Sequence, residues 1–371
     1  MVFPPWILGL LLIWSVGCTA APEPAGRVVA TGLLNPIGLA QLPDGGLLVA
    51  EMGTGAGDDS GGVTLLTAEG AAGRLVSGLP SSRDSGDLAG APLVALSPDN
   101  RTVYLSFFNA NQLYTLPLGQ ALSLPQTPLT ITDLAGAMAP QTIDRLINPF
   151  DLAFDPAGSP IVTDASMNGV ARQTEAGLTH FLYLFDRLPD PTDPTRTIDA
   201  VPTGIARVGE EYFVTLTGGC PFPAGGGQLV AVGGSARPRL VLDGLNMPID
   251  VAQDRSGAIW VLEFAEFRAG GDCFAGGDYL PNSGRLSRLD ASGTLQPVVV
   301  DLNTPGAFLL APDGTIYISE VFTGRVLAIQ PPAAEGAWPM SVAGLAADGA
   351  TLALPSIPIA TLTPLGSTPD R

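Results

Sequence analysis

Lysine is absent from this chain, and histidine occurs once, as His180. Without lysine there is no Schiff-base or lysine general-base chemistry, and a single imidazole leaves no room for a multi-histidine metal site. All 17 basic residues are arginine against 35 acidic ones, for a net charge of -18. Nucleic acid is therefore not an expected partner, since its binding needs a positive footprint. What is plentiful is glycine, with 46 residues, and proline, with 35. Both interrupt helices and mark turns, so the composition predicts short strands joined by frequent turns. A chain of 371 residues has room for one large β domain or two ordinary ones.

The one long apolar run, Trp6 to Val16, is too short to span a membrane comfortably and ends in small residues around Cys18. It reads as an export signal over residues 1–18, with a short linker over 19–26. The stretch "SVGC" resembles the lipobox of bacterial lipoproteins, in which the cysteine becomes the lipidated N-terminus; Ser15 replaces the usual leucine, and no basic residue precedes the run. A lipid-anchored, a simply secreted and an uncleaved anchored protein are the three readings, all extracytoplasmic. Cys220 and Cys273 are then an even pair in a compartment where disulfides persist. Two unrelated buried thiols are the alternative.

Internal repetition organises the rest. Six gapless segments share one plan: "NPIGLAQLPDGGLLVAE", "GAPLVALSPDNRTVYLS", "NPFDLAFDPAGSPIVTD", "VPTGIARVGEEYFVTLT", "MPIDVAQDRSGAIWVLE" and "TPGAFLLAPDGTIYISE". Their second residues, Pro36, Ala91, Pro149, Pro202, Pro248 and Pro305, lie 55, 58, 53, 46 and 57 residues apart. Each reads as strand, two-residue turn, strand, with Asp44-Gly45, Asp99-Asn100, Ala157-Gly158, Ser256-Gly257 and Asp313-Gly314 at the turns and Glu210-Glu211 as the exception. A third strand, usually led by glycine, and then a fourth follow. Four strands every ~55 residues are the blade of a β-propeller, so the expected fold is all-β, one six-bladed ring over residues 27–331. "RVVATGL", Arg27 to Leu33, resembles a fourth strand and is predicted to close the ring by pairing with "GRVLAIQ" of the last blade. Residues 332–371, rich in proline, alanine and glycine, read as an appended tail.

The combination of "NPFDLAF" with "VTDAS", "VPTGIA" leading to "LTGGCPFPAGGGQLVAV", and then "MPIDVA" resembles the ScyD/ScyE family of propeller proteins associated with scytonemin biosynthesis. It is similar at greater distance to NHL-repeat and gluconolactonase-type propellers. The resemblance covers most of residues 27–331, with "PFPAGG" its most specific part. It implies an exported propeller without a defined activity. Cys220 stands where the family pattern has another residue, which makes the predicted bridge a local addition.

If the turns are two residues long, Asp151 faces Asp164 and Asp250 faces Glu263 across their hairpins. Glu51 and Glu320 occupy the matching positions in the first and sixth blades opposite Gly38 and Ala307, and Ser106 and Thr217 in the second and fourth opposite Leu93 and Gly204. Opposed like charges are destabilising. Such a ring at the channel mouth persists if it accepts hydrogen bonds from loop N–H groups or pairs with arginines such as Arg172, Arg285 and Arg325, if it shares protons, or if it binds a hard cation such as Ca²⁺. Long loops, "MGTGAGDDSGG", "TGGCPFPAGGG" and "FAEFRAGGDCFAGGDYLPNSG", are predicted at the same mouth and carry both cysteines. The "CPFP" segment either caps the channel or stacks on a ligand, and His180 belongs to an outer strand.

Two functions follow. One is an extracytoplasmic binding or scaffolding module, monomeric, taking a small molecule, glycan or protein at the looped acidic face and touching membrane only through its anchor. The other is a calcium-dependent hydrolase of lactones or esters, with Asp151, Asp164, Asp250 and Glu263, then Glu51 and Glu320, around the ion. A quinone-dependent sugar dehydrogenase is disfavoured by the single histidine.

Overall fold

A computed structural model describes residues 26–119, 122–141, 144–233, 237–275, 277–290, 292–330, 339–345 and 350–351. The predicted signal and Cys18 lie outside these residues. The described chain is a six-bladed β-propeller of four-stranded blades, whose one helical element is a single turn at Ile131–Asp133. The inner strands are Pro36–Gln41, Leu93–Leu96, Pro149–Phe154, Pro202–Val208, Pro248–Gln253 and Pro305–Leu310. Each contacts the next, and the last contacts the first, so they close around a central channel. Gly26–Thr31 pairs antiparallel with Arg325–Ile329, Val28 against Leu327, and becomes the fourth strand of the sixth blade.

The core lies between blades, where apolar residues alternating along each strand meet the next sheet, as Val214, Leu216 and Val230 do with Ile161 and Val170. Contact there is close enough to exclude a side chain at the start of some third strands. A Cβ on Gly227 would stand 2.1 Å from Pro248 Cδ, and one on Gly284 2.5 Å from Pro305 Cδ. The glycine that leads the third strand is thus the seat for the proline that begins the next inner strand.

The hairpin register differs from the two-residue expectation. In the third blade Asp155 N–H donates to Ser159 O and Gly158 N–H to Asp155 O, each at 2.9 Å, which makes a three-residue turn with Gly158 at φ 84°. The same bonds recur at Leu42/Gly46, Asp254/Ala258 and Ala311/Thr315. One added turn residue and an irregularity after each leading proline pair Asp164 with Pro149, Glu263 with Pro248, Glu51 with Pro36 and Glu320 with Pro305. Asp250 faces Leu262 and Ala307 faces Ser319. The predicted oppositions Asp151–Asp164 and Asp250–Glu263 therefore do not form. Leu93 does face Ser106, because the second blade's turn is longer.

Two described pieces of the tail extend the sheets: Met340–Ser341 runs parallel to Val299 and Val300 of the fifth blade, and Ala350–Thr351 runs parallel to Ala30 and Thr31. Cys220 and Cys273 form a disulfide between the mouth loops of the fourth and fifth blades, with Cα atoms 5.9 Å apart. No described helix is long and apolar enough to cross a membrane.

Candidate functional site

The carboxylates that end the second strands are structural corners. Glu51, Asp164, Glu263 and Glu320 are at most 1% exposed, and each accepts a backbone N–H from the residue seventeen positions earlier: Leu34, Ile147, Asn246 and Asn303. The next carbonyl in those loops, on Asn35, Asn148, Met247 or Thr304, accepts the N–H that follows the carboxylate residue. The chain bends there at positive φ for Asn35, Met247 and Thr304, a conformation that needs such anchoring outside glycine. Arginines complete three corners. Arg285 is bidentate to Glu263, Arg325 pairs with Glu320, and Arg74 Nη2 donates to Glu51 Oε2 at 3.1 Å. Arg74 Nη1 lies 3.0 Å from Glu51 Oε1 but off the line of a hydrogen bond, so it adds charge rather than a second directed bond. Among the described residues Asp164 has no arginine partner and takes N–H groups from Asn148 and Met167 instead.

These corners do not fit a calcium ion. Oxygen lone pairs that would face the metal are already filled by N–H and guanidinium donors, and no three His, Cys, Asp or Glu side chains among the described residues are grouped to share an ion. Ser106 and Thr217 take the place of the carboxylate in the other two blades, donating to Gln112 O and Pro248 O.

Asp151 and Asp250 have a different place. They line a small cavity of about 170 Å³ at the waist of the channel, and the little surface they expose faces that space. Asp151 Oδ2 accepts from Ile205 N at 2.8 Å and Asp250 Oδ2 from Phe308 N at 2.9 Å, so each carboxyl ties its inner strand to the next blade. Burial pushes both pKa values up, and the charge of Asp151 pushes Asp250 up further. Like-charge repulsion predicted within hairpins is found instead between the third and fifth blades.

Above the waist is the larger cavity at the looped mouth, about 370 Å³. Its floor is Ile37, Phe150 and Ile249, which also border the channel cavity below and so separate the aspartate pair from the mouth. Phe222, Phe264, Tyr279 and Phe322 form one wall in mostly edge-to-face contacts, Phe264 to Tyr279 at 5.1 Å and Phe222 to Phe267 at 5.2 Å. Phe222, of the "CPFP" segment, packs in this cluster and borders the cavity.

The opposite wall was not anticipated. Ala72–Asp84 and Asp87–Ala89 form a hairpin that projects from the first blade, its turn set by Ser85 and Gly86 at φ 50° and 93°. The Ser-Gly pair within "SSRDSGDLAG" was its signal. A Cβ on Gly86 would lie 2.2 Å from Phe274 O, so the hairpin tip packs directly on the loop that carries Cys273. From this hairpin Asp87 Oδ1 accepts a 2.8 Å hydrogen bond from Tyr279 Oη. Burial pushes the Asp87 carboxyl up, opposed by Tyr279's bond and the nearby Arg83 guanidinium. Tyr279 is held far above its usual range by burial and by Asp87, so it stays a donor.

His180 lies at the surface of an outer strand, its Nδ1 3.2 Å from Asp144 Oδ2, away from the mouth. Arg172 pairs with Ile161 through the backbone and makes no corner of the Arg285 type among the described residues.

No protein-family model matches the chain, and no curated protein matches it in sequence. Solved structures do match. A gluconolactonase from Xanthomonas campestris aligns with TM-score 0.55 at 13% identity, over 82% of this chain and 88% of that one. The quinone-bound aldose sugar dehydrogenase of Streptomyces coelicolor aligns with TM-score 0.51 at 20% identity, over 84% and 99%. The calcium structure of a Trichoderma reesei carbohydrate-active enzyme of family AA12 aligns with TM-score 0.50 at 14% identity, over 83% and 95%. At these identities the likeness is one of fold.

Proposed function

We propose that the mouth bowl is the working site and that the chain hydrolyses a small lactone or ester there. The observation that carries this is the Asp87–Tyr279 pair, a carboxyl of raised basicity oriented by a phenol inside a largely apolar cavity. Such a carboxylate is a suitable general base. Asp87 takes a proton from water as its oxygen adds to the substrate carbonyl carbon. The carbon–oxygen bond to the leaving group then breaks, and the departing oxygen takes the proton back from Asp87. Tyr279 remains protonated and holds the carboxylate in position. The fold shared with a gluconolactonase makes the reaction class reasonable without determining it. No step runs through calcium.

Asp87→Asn is expected to lower kcat/KM on a responsive lactone or ester at least a hundredfold, the lower range for loss of a general base. Tyr279→Phe should cost less, with a shifted pH profile. Unchanged turnover in Asp87→Asn sinks the assignment. Binding without turnover is the second reading and uses the same bowl, whose rim leaves Phe322 49% exposed.

Export and lipidation at Cys18 belong to the same proposal and rest on the apolar run and "SVGC". Radiolabelled palmitate should enter the wild-type chain in a bacterial host and not Cys18→Ser; equal labelling of both contradicts lipidation there.

A further inference from the structure

A second cavity of about 370 Å³ adjoins the bowl. Asp87, Leu88, Asn148, Val201 and Phe222 border both, so the two spaces share a wall and Asp87 stands at their junction. Their linings differ in chemistry. The bowl is mainly aromatic and aliphatic, with Arg83 as its only basic residue among the described residues. The second cavity is bordered by Asp84, Asp87 and Asp199 and, among the described residues, by no basic side chain. Its far side is the disulfide-linked pair of loops, through Cys220, Cys273 and Phe274.

We propose that the mouth takes an amphiphilic organic cation, its aromatic or aliphatic body in the bowl and its protonated amine in the acidic cavity beside Asp87. This rests on the reading of the mouth as a ligand site, not on turnover. Charge decides between classes of ligand. Arg187 pairs with Asp199, and Arg83, which borders the bowl and not the second cavity, donates from Nη1 to Gly86 O at 2.8 Å, which leaves Asp84 and Asp87 as the charges an incoming group meets in the acidic cavity. An ammonium there recovers Coulomb energy, whereas a carboxylate is repelled by Asp84 and Asp87 and by a chain of net charge -18. A polyol is disfavoured for another reason, since hydroxyls placed against Phe264, Phe322 and Ile249 lose water without gaining partners. Ring faces and edges of the aromatic wall suit an aromatic body.

Calorimetric titration of the chain with phenylbutylamine, phenylbutanol and phenylbutyrate, matched in length and differing in charge, tests this. The amine is expected to bind about tenfold more tightly than the alcohol, with the carboxylate weakest and the amine's advantage shrinking as salt is added. Asp84→Asn should cut that advantage severalfold and leave the alcohol unaffected. Equal binding of amine and alcohol, or tighter binding of the carboxylate, overturns the cationic assignment. If none of the three binds, the ligand site itself is lost, and the hydrolase reading with it. Preference for the amine without turnover of any ester removes only hydrolysis.

Discussion

Raising the pH from about 4 to about 7 is expected to destabilise the propeller by the equivalent of about 3 kcal/mol, read as a falling melting temperature. Asp151 and Asp250 set the sign. Both have folded pKa values raised above those of the unfolded chain, because burial at the channel waist penalises the charge, and the charge of Asp151 raises Asp250 further. A raised pKa means that the folded state holds its protons more tightly, so the stabilisation is complete below the unfolded value and is lost as pH climbs through the folded ones. Below about pH 4 the trend reverses. Asp254, although burial pushes it up, is held well below the usual carboxylate range by donated bonds from Ser256, Trp260 and the Ala258 N–H, and its contribution disappears as it protonates. Asp151→Asn should flatten the slope between about pH 4 and 7 by half or more, since it removes one titrating group and the charge that elevates Asp250. The slope is the diagnostic, because asparagine has one carbonyl oxygen where Asp151 uses both carboxyl oxygens, for Leu152 N and Ile205 N, and so loses a bond at every pH. A melting temperature that rises steadily across this window, or an Asp151→Asn slope equal to wild type, would contradict the shared-charge account of the waist.

Removing one corner carboxylate should be costlier. Glu51→Ala strips the anion from Arg74, whose side chain is 9% exposed, and leaves Leu34 N–H and Thr64 Oγ without their acceptor. A buried ion pair broken on one side costs about 3–5 kcal/mol, which for a domain of this size is a fall of about 5–8 °C in melting temperature. Burial pushes the Glu51 pKa up against the opposing pull of Arg74, so the pair is held by mutual need rather than by a large net gain. Replacing both partners with apolar residues, Glu51→Leu with Arg74→Met, should accordingly recover much of the loss. Chelator treatment should not change the wild-type melting temperature if the corner carboxylates serve N–H groups and arginines. A loss in Glu51→Ala below about 1 kcal/mol would place this residue among surface pairs and refute its role as a corner.

The spacing of acidic residues announced both groups of carboxylates, yet only one kind of information lay in it. Glu51, Asp164, Glu263 and Glu320 recur at one offset from the leading proline because a backbone N–H seventeen residues earlier needs an acceptor, a local demand within one hairpin. Local demands of that kind, together with the turn glycines and the proline-seating glycines of the third strands, are visible in a single chain. Strand register was less so. A turn glycine signals positive φ without revealing whether the loop has two residues or three, and one residue of difference moves every side chain to the other face. Asp151 and Asp250 illustrate the consequence, separated by 99 residues in sequence and coupled only through the closed ring.

By itself, then, the sequence determined the repeat, the strand pairs, the closure of the ring by its first strand and the loops that bear Cys220 and Cys273, because each depends on residues near one another or on a periodicity repeated six times. Tertiary structure alone decided where charge and apolar surface meet. Asp87 from the first blade's hairpin reaches Tyr279 from the fifth blade's loop across 192 positions, and the bowl they both border exists only once the six blades fix those two loops over one channel. Contacts of that range leave no spacing in the chain, since the rigid ring, and not the intervening residues, sets the distance they span.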